Sequence, residues 1–261
     1  MLSAPGAIVR RHDPDSFLTA LFAPAALRET LLVLYAFNHE LARARAAVSQ
    51  PTLALIRLQW WREVVEGAPR RHEVATPLAE GIRAGRLDRA ELLALIAGRE
   101  IEAEPAIPSF SAWRSYLLAT AGGLAAAAGH LLGAPAASLD KLRALGAAYG
   151  MAGVLRSVPA HARQGRCLLP EDVLARHGLS PEAVIRAPSD PALHPVLRTL
   201  AAEGRAMLGT GRGAELPRPA VAAALPSVLA RRDLGRIGRP VAARGLGDRL
   251  AVTLAGLTGR I

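Results

Sequence analysis

The sequence predicts an all-α, single-domain bundle, and three observations predict it. Hydrophobic residues fill 51% of the 261 positions, and most of them are alanine and leucine, which favour helices. Aromatic residues are only 4%, a poor supply for strands. Apolar side chains recur at three- and four-residue steps, while no run alternates convincingly with a period of two. The apolar content is enough for a sizeable core and excludes global disorder. Connections are short and no internal repeat is visible, so one domain is expected rather than two.

Residues 1–14 read as a short polar lead without the apolar centre of a secretory signal. Asp13 and Ser16 precede FLTALF and mark a helix start. Pro24 opens AALRETLLVLYAFNHELARARAAV, in which Leu27, Leu31, Leu34, Phe37 and Leu41 share one face. Ser49-Gln50-Pro51 breaks that helix. TLALIRLQWWREVVEG follows and ends near Gly67. Trp60, Trp61 and Leu58 on it suit core packing, or a greasy contact for a partner. After TPLAEGIRAG, a helix is expected from about Asp88 to Glu104, stopped by Pro105 and Pro108.

SAWRSYLLATAGGLAAAAGHLLG reads as a small-residue helix whose Gly122, Gly123 and Gly129 let neighbouring backbones approach. SLDKLRALGAAYGMAGVLRSV leads into a basic loop, and Leu168-Leu169-Pro170 opens a new element. PEAVIRA, HPVLRTLAAEGRAML, AVAAALPSVLARR and VAARGLGDRLAVTLAGL continue the helical pattern. The main domain is placed at residues 15–235, with 236–261 as a C-terminal helical extension of it. No stretch reaches the ~18 clean apolar residues of a spanning helix.

The net charge is +10 and the isoelectric point about 11.2. Nearly all the cations are arginine, and Lys141 is the only lysine. Such a surface suits nucleic acid, anionic lipid or an acidic protein. The arginines are spread along helices, and no zinc-finger or RNA-binding signature is present, so no nucleic acid partner is expected. A solvated basic face and a membrane or partner patch both remain open. Cys167 stands alone, which excludes an intrachain disulfide and a cysteine-based metal cluster.

Two stretches carry the functional signal. The first, residues 35–67, is YAFNHELARARAAVSQPTLALIRLQWWREVVEG; the second, residues 155–180, is LRSVPAHARQGRCLLPEDVLARHGLS. The frame LRxxxxxARxGRxxLP of the second resembles a signature of the squalene and phytoene synthases, and the first resembles the other signature of that family. The resemblance implies an isoprenoid (terpenoid) synthase fold with a central cavity, here lined by Leu, Ala and Phe. It also implies two acidic clusters that hold magnesium against a prenyl diphosphate. The first cluster should fall on Ala42, Arg43, Ala46 and Ala47, the second on Ser157, Ala160 and His161. None of these is acidic. Magnesium takes hard oxygen ligands, mainly carboxylates, phosphates and water, so no metal cofactor and no catalytic residue is expected.

Glu40, Glu63, Glu100, Glu102 and Glu104 are the acids that could substitute; surface or cap roles are the simpler reading. Arg156, Arg163 and Arg166 could hold an anion or a lipid head group, or merely solvate helix ends. His161 lacks a Cys or His partner at ligand spacing, so a hydrogen-bonded structural role is expected; His177 lies across a loop.

Asn38, Glu40, Pro159 and His161, with the continuation Leu169, Pro170, Asp172, His177 and Gly178, resemble one non-catalytic branch of the family. That branch includes the mitochondrial factor for assembly of respiratory complex I and its alphaproteobacterial relatives. By this resemblance the chain assists complex I assembly, with a complex I subunit or assembly intermediate as partner. The charge and apolar helices suit attachment to an anionic membrane surface. The expected location is the bacterial cytoplasm, peripheral to the inner membrane, or the matrix side in a mitochondrion. Two alternatives stand. One is an active prenyltransferase making squalene or phytoene with magnesium; the other is a carrier of isoprenoid or lipid in the old cavity.

Overall fold

The computed structural model describes residues 2–48, 50–213, 215–238 and 244–261. Helices α1 (Ala4–His12), α2 (Pro14–Ala20) and α3 (Ala25–Ala46) come first, then α4 (Pro51–Glu66), α5 (Ala75–Arg83) and α6 (Arg89–Arg99). A second group holds α7 (Phe110–Leu117), α8 (Gly123–Leu131), α9 (Ala136–Arg156), α10 (Val158–Arg163), α11 (Glu171–Ala175) and α12 (Pro181–Arg186). The last are α13 (Leu193–Thr210), α14 (Val221–Ala224), α15 (Pro226–Leu234) and α16 (Leu246–Thr258). Among the described residues there is no strand, only one bridge between Ile107 and Pro170.

Local chemistry sets the boundaries. The Asp13 carboxylate accepts a hydrogen bond from Ser16 N at 3.0 Å and starts α2. Asp88 does the same for α6, accepting from Glu91 N at 2.9 Å. Gly67 ends α4 at φ 115°, a conformation that a Cβ would strain. Tyr35, Phe37, Leu31 and Leu34 of α3 are buried, and Phe37 meets the buried Trp61 of α4 edge-on at 5.4 Å.

The helix around Gly122 is continuous but contains a π turn at Leu118–Gly122, between α7 and α8. A wider turn there fits the close crossing with α9: a Cβ on Gly122 would stand 2.7 Å from the Arg143 carbonyl oxygen. Gly146 of α9 sits equally tightly against the Ala121 backbone. The small-residue reading of this segment therefore holds.

Three expectations change. The polar lead is helical over Ala4–His12: Ser3 caps it, Val9 is buried, and His12 stacks on His39 of α3 at 4.8 Å. The basic loop contains the short helix α10, because Pro159 is tolerated in a first helical turn. The helix expected to run to Glu104 stops at Arg99 and tightens into a 3₁₀ turn, Glu100–Ala103. The start of the last expected helix, Val241 to Ala243, lies outside the described residues.

Candidate functional site

The two signature regions are joined by a buried polar cluster. From the first region, Asn38 Oδ1 accepts a hydrogen bond from Arg99 at 3.1 Å. Arg99 also donates to Glu102 Oε1 at 2.7 Å, and the Tyr116 hydroxyl donates to the same oxygen at 2.7 Å. From the second region, Arg166 donates to Glu102 Oε2 at 2.8 Å. The side chains of Arg99, Glu102 and Arg166 are 13, 5 and 9% exposed, so this is an interior ion triad.

The 3₁₀ turn creates it. Arg99 and Glu102 are three residues apart, and the tightened backbone turns both inward. Burial raises the Glu102 carboxyl, but Arg99 and Arg166 outweigh it and hold the group below its ordinary range. Burial and the adjacent Glu102 charge push the Tyr116 phenol far up. His161 lies beside the cluster. Burial, then the Arg166 charge, lower its pKa. Its Nδ1 is buried without a partner among the described residues. Arg99 Nε is also unpartnered.

Glu102 was expected at the surface and is instead the centre of the cluster. The signal for it was the Arg99–Glu102 spacing on a helix end; nothing local pointed to Tyr116. Glu100 pairs with Arg62, Glu63 with Arg70 at 2.8 Å, and Glu40 with Arg43 at 3.0 Å; Glu104 is exposed. Ala46, Ala47 and Arg43 are exposed at the end of α3, with Ala42 half-buried. Ser157, Ala160 and His161 are half-buried at the α9–α10 junction.

Arg156, Arg163 and Arg166 do not converge. Arg166 is spent on Glu102, Arg163 is exposed, and Arg156 approaches Asp233 at 4.0 Å. His177 is exposed. The Leu-Leu-Pro continuation has a structural job: Trp113 Nε1 donates to Leu168 O at 2.9 Å, and the Asp172 carboxylate accepts from Phe110 N at 2.8 Å.

A cleft of about 740 Å³ opens between α9, α13 and α15. Leu155, Leu193 and Leu197 line it together with Arg156, Asp233 and Asp248. Of the expected Leu, Ala and Phe lining, leucines are present here and no alanine or phenylalanine lines this cleft. A second ion network reaches the cleft at Asp233. Arg244 donates to Asp15 at 2.8 Å and to Asp233 at 2.7 Å.

Comparison with known proteins fits this geometry. The squalene/phytoene synthase family matches residues 9–255, and the chain belongs to that family. It is 30% identical over 240 residues to NADH dehydrogenase (ubiquinone) complex I, assembly factor 6, of Rattus norvegicus, covering 89% of this chain and 72% of that protein. The Homo sapiens counterpart is 28% identical over 211 residues, and the match spans 78% of this chain and 63% of that one. Among solved structures, a dehydrosqualene synthase with bound ligand superimposes with a TM-score of 0.80 at 14% identity, covering 98% of this chain and 94% of that one. Squalene synthase HpnC from Alicyclobacillus acidocaldarius gives 0.66 at 17% identity, over 98% and 92%. The fold is that of the isoprenoid synthases.

Proposed function

We propose that this chain is a non-catalytic member of the family that assists assembly of respiratory complex I from a peripheral position at the membrane. The observation that carries the reading is the buried Arg99–Glu102–Arg166 triad joined to Asn38. It occupies the link between the two signature regions with its carboxylate fully engaged by cations. The positions Ala42, Arg43, Ala46, Ala47, Ser157, Ala160 and His161 offer no carboxylate, so the donor set does not suit magnesium. A diphosphate leaving group needs its developing charge neutralised, and these positions offer no carboxylate to hold a metal for that purpose. The relatives named as complex I assembly factors support the same reading and suggest a complex I subunit or intermediate as partner. Among the described residues no helix is long and apolar enough to cross a membrane, which suits a peripheral location.

The test is diphosphate release from farnesyl and geranylgeranyl diphosphate with excess magnesium, paired with deletion of the gene in its host. The expected result is no release above heat-killed protein, and reduced complex I that the intact gene restores. Release that disappears on chelation overturns the reading in favour of a prenyltransferase. A carrier reading draws on the cleft, whose volume is within the ~300–1,000 Å³ of small-molecule sites; stoichiometric lipid in the purified protein would favour it.

A further inference from the structure

We propose that the outer face of α16 docks on an anionic lipid bilayer, with its leucine stripe inserted at the head-group boundary. Leu246, Leu250, Leu254 and Leu257 are 77, 67, 64 and 64% exposed. They follow one another at four, four and three residues, so they form a single stripe about 17 Å long at the standard helical rise. The helix is not loose. Val252 and Ala255 on its inner face pack with Val221, Leu225 and Leu229. Gly256 lets the helix approach the Phe22 ring. Asp248 anchors the first turn to Arg232 and Arg236 at 2.5 and 3.1 Å. A firmly held helix that leaves four leucines in water is built to meet an apolar phase.

The charge around the stripe selects the occupant. Arg249 lies on α16 and Arg260 just past its C-terminal cap, and both are exposed. Arg218 donates to the Leu257 carbonyl and is exposed. Arg212 and Arg231 share a small cleft with Gly259 and Ile261 at the helix end. None of these five forms an ion pair among the described residues. Asp248 is the only acid on α16, and it is buried and paired. Apolar centre and cationic border is the pattern of a helix lying in a negatively charged interface. A second copy of the chain is disfavoured, since the exposed charges that border this face are mostly arginine, with Glu215 the acid among them, and pairing would bring arginines together.

The inference rests on the peripheral membrane position proposed above but not on the assembly role, because vesicle binding and complex I levels are separate measurements. The full chain would be floated with vesicles of phosphatidylcholine plus phosphatidylglycerol, and with pure phosphatidylcholine. The intact protein should bind the mixed vesicles far better. L250E/L254E should abolish binding while leaving the melting profile unchanged, since both side chains are exposed. R249Q/R260Q should keep weak binding but lose roughly twenty- to thirtyfold in the preference for anionic vesicles, about fivefold per arginine. Equal binding by the intact protein and L250E/L254E overturns the proposal. So does intact protein that ignores both vesicle types, or a self-association that L250E/L254E removes, which would give the face to a second copy.

Discussion

Replacing Glu102 with glutamine tests the buried cluster most directly. The substitution keeps the shape and deletes the charge. It leaves the Arg99 and Arg166 guanidiniums, 13 and 9% exposed, without a counter-ion in the interior. Breaking a buried pair in this way costs about 3–5 kcal/mol, a large share of the ~5–15 kcal/mol that a domain has. Urea unfolding at neutral pH, followed by far-ultraviolet circular dichroism, should show that loss as a lower midpoint with an unchanged slope. The acid limb gives a second reading. In the folded chain the Glu102 carboxyl is held below its ordinary 4.5. Its stabilisation is therefore complete above 4.5 and disappears as pH falls through the lower folded value. Glu102→Gln should flatten that part of the stability profile. A loss under about 1 kcal/mol, with an unaltered acid limb, would mean that water reaches the cluster and that the reasoning fails.

Other outcomes follow from the same geometry. Asp248→Asn removes a carboxylate held well below its usual range, first by the Arg236 hydrogen bond and despite its burial; hydrogen exchange over residues 246–258 should accelerate, with a stability loss of about 2 kcal/mol. Gly122→Ala should lower stability by about 1–3 kcal/mol, because its Cβ meets the Arg143 carbonyl, whereas Gly153→Ala in open space should be neutral or gain up to ~1 kcal/mol; thermal melts of the pair decide. Burial pushes the Cys167 thiol up to about 11, so the native protein should resist maleimide at mildly alkaline pH and react only on unfolding.

Much of the helical order was readable because it depends on local signals. Asp13 and Asp88 caps, the Gly67 stop and the α3 leucine face each act within one or two turns, so the sequence order is enough to place them. The small residues around Gly122 also announced a close crossing. The lead was misread because α1 has little apolar content of its own. It is held through Val9 and the His12–His39 stack, contacts made with a helix far along the chain. Family membership was likewise written in two ordered motifs.

Tertiary structure decided what fills the space between those motifs. Asn38, the Arg99–Glu102 turn, Tyr116 and Arg166 lie on separate parts of the chain, and only packing brings them into one hydrogen-bonded cluster. The same is true of α16. Its sequence offers a leucine stripe and a Val252–Ala255 face, and only docking against Phe22 and Val221 determines which of the two remains in water. Sequence alone thus determined the helices and the family, since both are carried by single positions or short windows. Which polar groups are buried together, and which apolar face stays open, are properties of long-range burial, and the folded chain sets them.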